Sequence, residues 1–195
     1  DILSMPEFWR TSLALSLLFQ GFFLYILASP VLGRVHLGLA PTQFIWIFLP
    51  GVVGTVLGSA ISARIAGRLS AGTAIGMGLT VMALAAIANL ALNSFGTPDL
   101  PWAVLHLAFY NLGLGLAMAA MQVRLLDLAP TRRGMITSCH AGLQSGSIGL
   151  TAGLLVPLLW GSTWHLALGM VGFVFAAFVL YAPRVRAPKM VAAPL

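Results

Sequence analysis

Apolar and polar positions alternate along this chain in long blocks, not in the short period of an amphipathic helix or strand. Six stretches, at about residues 11–33, 42–63, 71–92, 102–123, 135–160 and 164–182, are almost wholly apolar. None of them contains Lys, Arg, Asp or Glu. A helix rises 1.5 Å per residue, so about 20 such residues match the hydrocarbon thickness of a bilayer. One Arg at a helix centre would cost about 2.5–3.5 kcal/mol to insert. The segments between them break helices. Pro41 suits a helix start, and Asn93, Ser94, Gly96, Thr97, Pro98 and Asp99 form a polar turn. Residues 124–134 hold Arg124, Asp127, Pro130, Arg132 and Arg133, and a tight turn lies at 161–163. The pattern predicts an all-α polytopic membrane protein of six transmembrane helices, with a linker at 1–10 and a tail at 184–195.

Composition excludes a water-soluble fold: 59% of the residues are hydrophobic and only 7% charged, against roughly a quarter charged in soluble domains. Positive charge then sets the orientation. With an even number of crossings both ends share a side, which holds Arg10, Arg64, Arg68, Arg124, Arg132, Arg133, Arg184, Arg186 and Lys189. The other side has Arg34 alone. Positively charged loops stay in the cytoplasm, which predicts both termini cytoplasmic and Asp99 outside. Topology thus accounts for the net charge of +6, and no nucleic-acid partner is expected. Cys139 is the single cysteine, so neither a disulfide framework nor a cysteine metal site is expected, and no cofactor is called for. The opening residues hold charges and a proline instead of a basic segment leading into a cleavable apolar core. No signal peptide is expected, and the start at Asp1 suggests part of a longer protein.

Small residues four apart let helices approach closely in lipid. Such rows occur at Gly54, Gly58 and Ser62, at Gly72 and Gly76, at Gly142 and Gly146, and at Gly149 and Gly153. Each is a candidate interface. Kinks are expected near Pro30, Pro50 and Pro157.

Several motifs resemble the Bcr/CflA-type drug-resistance transporters of the major facilitator superfamily. The run Gly21-Phe-Phe-Leu-Tyr25-Ile-Leu-Ala-Ser29-Pro30 resembles that group's seventh helix, and Leu39-Ala-Pro41-Thr-Gln-Phe44 resembles the entry to its eighth. Gly58, Ser62-Ala63-Arg64 and Gly67-Arg68 resemble the second copy of the cytoplasmic Gly-x-x-x-Asp-Arg-x-Gly-Arg loop, with Ala63 at the acidic position. Arg132-Arg133-Gly134-Met-Ile-Thr-Ser138, followed by Gln144, is similar to the loop before the eleventh helix. The resemblance implies that the chain is helices seven to twelve of a twelve-helix fold, built as two inverted three-helix repeats in a bacterial-type cytoplasmic (inner) membrane. It also implies a missing N-terminal six-helix half and a midplane cavity for a small-molecule substrate, bordered by the first, second, fourth and fifth helices. The third and sixth would face lipid. The implied activity is proton-coupled efflux of small amphipathic or drug-like molecules; uptake, or a non-transporting six-helix subunit, is the alternative.

Polar groups inside a bilayer are costly unless paired, which makes them functional candidates. The first helix offers Gln20, Tyr25 and Ser29, close enough in sequence to share a face, and the fourth offers His106, Tyr110 and Asn111. In the fifth, His140 and Gln144 stand one turn apart. Each has a competing reading as an interhelical packing bond, and His106 as a group near the outer water. Gly58, Arg64, Gly67 and Arg68 are the cytoplasmic loop candidates. No spanning segment holds a carboxylate, so a coupling acid is expected in the other half, with His140 as the local alternative. Catalysis is not expected: Ser145-Gly146 approaches the Gly-x-Ser-Gly turn of six-helix intramembrane proteases but lacks its leading glycine.

Overall fold

The architecture is known from a computed structural model that describes residues 2–96 and 98–181. The expected tail at 184–195 lies outside them. Six helices are long and apolar enough to span a bilayer: α1 (Pro6–His36), α2 (Pro41–Ile65), α3 (Ala71–Ser94), α4 (Trp102–Leu126), α5 (Pro130–Leu159) and α6 (Thr163–Tyr181). No strand occurs among the described residues. The protein is an all-α polytopic membrane protein, as the block pattern predicts.

Helix ends follow local chemistry. Pro6 stands in the first turn of α1, where a missing N–H costs nothing. The helix therefore starts before the apolar stretch and carries Glu7 and Arg10. The segment expected as a linker is not free of the bundle, because Ile2 and Phe8 bury against Leu125 and Ile136. The Ser70 side chain accepts from the Thr73 amide at 3.1 Å and starts α3. The kinks expected at proline take a definite form in two places. A π-helical segment follows Pro30 at Leu32–His36, and another precedes Pro157 at Thr151–Leu155. Such widened turns occur where the regular helical ladder is interrupted. Helical structure continues through Pro50.

The apolar core belongs to four helices. Leu15, Leu18 and Leu24 of α1 meet Ile75 and Met82 of α3, Leu107 and Met121 of α4, and Met170 of α6. α2 and α5 flank this core, the first contributing Ile47 and the second Val156. The packing repeats under exchange of the first three helices with the last three. α2 packs on α4 as α5 packs on α1, α3 packs on α4 as α6 packs on α1, and the pairs α1–α4 and α3–α6 map onto themselves. The exchange matches a helix running one way with a helix running the other, since α1 and α4 cross in opposite directions.

The two flanks are attached differently. On α2, Gly54, Gly58 and Ser62 face the carbonyls of Ala108, Leu112 and Leu116 on α4. A Cβ at Gly54 or Gly58 would collide with the first two, and the Ser62 hydroxyl donates to the third at 3.3 Å. The constant offset shows two parallel helices in direct backbone contact. Gly78 and Gly113 do the same for α3 and α4. The other glycine rows are not interfaces among the described residues. A Cβ at Gly76, Gly142, Gly146, Gly149 or Gly153 would meet nothing within 4 Å. Four-residue spacing supplies a smooth face, but whether a neighbour stands there depends on how the helix is rotated. α5 buries Ile136, His140 and Thr151, so its glycines turn away.

Gly58→Leu is expected to force α2 off α4 and to destabilise the purified chain by about 1–3 kcal/mol or more. Gly146→Leu should leave the midpoint of detergent unfolding, followed by circular dichroism, unchanged. Equal effects at both sites would contradict this packing.

Candidate functional site

Most of the candidate polar side chains hold helices together. Tyr110 is fully buried and donates its hydroxyl to the Leu18 carbonyl at 2.8 Å. Its ring lies over Gly21, where any Cβ would overlap the phenol. Asn111 donates to Leu107 O at 2.9 Å and accepts from the Thr55 hydroxyl at 3.3 Å, which joins α2 to α4. Thr55 also reaches the Gly51 carbonyl at 3.0 Å.

Gln20 and Tyr25 do not share a face. Five residues of helix turn the chain through about 140°, so the two side chains leave α1 in different directions. Tyr25 points toward α3 and α4. It accepts from Asn89 Nδ2, which in turn receives Asn93 Nδ2 on its Oδ1 at 2.9 Å. The Tyr25 ring meets the His106 ring edge to face at 4.8 Å between centroids. His106 is 5% exposed, so the expected contact with outer water is not made; it lies instead among Tyr25, Asn89 and the apolar wall of α3. Ser29, one turn beyond Tyr25, is buried near the end of α1.

Gln20 points the other way, to α5. Its Nε2 donates to Ser147 Oγ at 2.8 Å, and that hydroxyl donates to the Gln144 carbonyl at 2.7 Å. Gln144 therefore contributes its backbone here, with its side chain half-buried. Gln20 stands almost midway along α1, and Ser147 almost midway along α5. The two helices run parallel, and seven residues toward the arginine-rich end descend about 10 Å on each. That register puts His140 near the level of Ser12 and Ser16. Ser12, Ser16 and Gln20 recur every fourth residue and line one stripe of α1.

The result is a polar seam from the arginine-rich end to the middle of the bundle. Ser12 and Ser16 are 0% and 1% exposed, and His140 is 7% exposed. Ser12 Oγ, Ser16 Oγ, Gln20 Oε1 and both ring nitrogens of His140 have no partner among the described residues. Buried polar atoms normally find one, because each unmade bond costs about 1–3 kcal/mol. The seam thus holds donors and acceptors that no described residue satisfies. No group of metal-ligating residues occurs among the described residues. Sequence reasoning passed over Ser12 and Ser16, for which the four-residue spacing ending at Gln20 was the available signal.

The cytoplasmic loop candidates separate by role. Gly58 serves the α2–α4 contact. Gly67 has φ +80° in the turn to α3, a conformation that favours glycine. Arg64 and Arg68 are exposed beside it. At the next loop Asp127 and Arg133 pair at 3.5 Å, and Arg124 donates to the Tyr181 hydroxyl, tying α4 to α6.

A double-mutant cycle with Gln20→Leu and Ser147→Ala should show coupling of about 0.6 kcal/mol, the average for hydrogen bonds between membrane helices. It is read from unfolding midpoints of the purified chain. Strict additivity would mean that the two side chains do not meet.

Compared with known proteins, the chain matches no family model, no curated protein and no solved structure.

Proposed function

We propose that this chain is one six-helix half of a secondary transporter of major facilitator type, resembling the Bcr/CflA drug-resistance group. In this reading it exports small amphipathic molecules in exchange for protons by alternating access. The observation that carries the proposal is the seam: five buried polar atoms without partners among the described residues, between α1 and a helix that packs loosely. α5 has the lowest mean hydropathy of the six spans, 1.3. Between residues 138 and 149 its outward face carries Ser138, Gly142, Ser145, Gly146 and Gly149, all exposed and none large, while Met135, Leu150, Leu154 and Leu158 are exposed on either side of that stretch. A face meant for lipid would resemble that of α3, which shows Met77, Leu84 and Ile87. Small polar residues suit a second protein bundle or a water-filled cavity.

The exchange symmetry of the packing supports the same reading, since inverted repeats that place a site near the midplane are a recurring transporter design. Gln20 and Ser147 meet at about that depth. The partner would be a second six-helix bundle that covers the outward faces of α2 and α5 and supplies the embedded carboxylate that none of the six apolar stretches contains. His140 and Gln20 would then contact substrate from this side. The arginine-rich ends would lie in the cytoplasm of a bacterial-type inner membrane. The reading assigns no catalytic step to the chain.

Everted vesicles with an acidic lumen should take up an amphipathic fluorescent dye when the chain is expressed with a complementary six-helix bundle. The chain alone should give none, and proton-driven uptake by it alone would overturn the proposal. In the paired system, His140→Ala should weaken dye recognition yet leave measurable proton-driven transport; complete uncoupling would place the coupling group in this chain.

A further inference from the structure

A cavity at the arginine-rich end of the bundle has no part in the seam. It lies where α2, α3 and α4 converge, measures about 300 Å³, and is walled by Ser62, Ile65, Leu69, Ala74, Ala120 and Val123. The walls are apolar in effect, because the Ser62 hydroxyl already donates to the Leu116 carbonyl at 3.3 Å. Small alanines on α3 and α4 leave the space that longer side chains would fill. The rim is the α2–α3 turn. Arg68 N and Leu69 N both bond the Ile65 carbonyl, at 3.0 and 3.1 Å, and Gly67 makes the reversal.

Arg64 stands on the last turn of α2 and Arg68 on the rim itself, both exposed. Neither is in an ion pair among the described residues, and Asp127 is taken by Arg133 at 3.5 Å. The first turn of α3 begins at the same rim, with Ala71 lining the cavity, so its dipole also favours an anion there. An apolar slot, two exposed arginines adjoining its lining residues Ile65, Gly67 and Leu69 in the chain, and a position at the end of membrane-spanning helices define one kind of guest. We propose that this cavity binds an anionic phospholipid, with the phosphate held by Arg64 and Arg68 and an acyl chain lying in the slot. Guanidinium groups match phosphate oxygens in forked geometry, and basic pockets between helices near a membrane surface suit anionic headgroups. The inference needs only the spanning fold and is independent of the transport reading.

The test titrates the purified chain in neutral detergent with phosphatidylglycerol, with phosphatidylcholine of the same acyl chains, and with inorganic phosphate, and follows bound lipid by native mass spectrometry. Phosphatidylglycerol should bind one per chain and in preference to phosphatidylcholine. Each basic residue near an anionic headgroup contributes roughly fivefold, so Arg64→Gln with Arg68→Gln should weaken binding about 25-fold. Arg132→Gln with Arg133→Gln removes the same charge from the other loop and should leave binding unchanged. Ala120→Phe should weaken binding by filling the slot. Equal binding of phosphatidylcholine, equal weakening by the two arginine pairs, or unchanged binding after losing Arg64 and Arg68 would overturn the proposal. So would displacement of the lipid by inorganic phosphate at equal concentration, since a phosphate site alone has no use for the slot.

Discussion

Hydrocarbon offers no hydrogen bonds, and that constraint shapes every level of this protein. It forces the backbone into helices that satisfy themselves, and it removes the hydrophobic drive that would press those helices together. What remains is close contact and the occasional polar bond. The α2–α4 pair shows both in one row, with Gly54 and Gly58 letting backbone meet backbone and Ser62 donating to Leu116 one turn further on. α4 is the hub because its carbonyls receive α2 while Gly113 receives α3 at Gly78. Tyr110 then ties the same helix to α1, through the space that Gly21 leaves open.

The same constraint explains why α5 differs from α2 despite occupying the equivalent position in the exchanged half. Both are parallel to the helix they pack on. α2 presents glycines to its neighbour, whereas α5 presents Ile136, His140 and Ser147, and its glycines lie on the opposite side. Bulkier and polar side chains hold α5 further from α1 and bring several hydrogen-bonding atoms into a dry setting. One bond, Gln20 to Ser147, is made across the gap. The rest of the seam finds no partner among the described residues, and its cost is carried by the well-packed pairs elsewhere in the bundle.

Polar residues at the two ends do different work from those within. At the end opposite the arginine-rich one, His36 contacts the Trp160 carbonyl at 2.9 Å and joins the π-helical end of α1 to the end of α5. At the arginine-rich end, Arg124 anchors to Tyr181 and Arg133 to Asp127, while Arg64 and Arg68 have no ion pair among the described residues and adjoin residues that line an apolar slot. Charges gathered at one end of the bundle therefore differ in what each contacts.

The sequence by itself determined the number and class of helices, because bilayer length and freedom from charge are properties of contiguous residues. It also marked the turns, through Pro41, Gly67 and the polar run around Pro98. It named Gln20, Tyr110, Asn111 and His140 as polar groups that must find partners, without saying which partners. Tertiary structure decided those assignments, since they depend on how each helix is rotated and on what stands opposite. Gly58 and Gly142 each stand four residues from another glycine, yet one touches a carbonyl and the other nothing within 4 Å. Gln20 and Tyr25 stand close on one helix but face different neighbours, and Ser12 and Ser16 gained meaning only when α5 came to rest beside them. Rotation about a helix axis costs almost nothing locally and is settled by contacts between residues far apart in the chain.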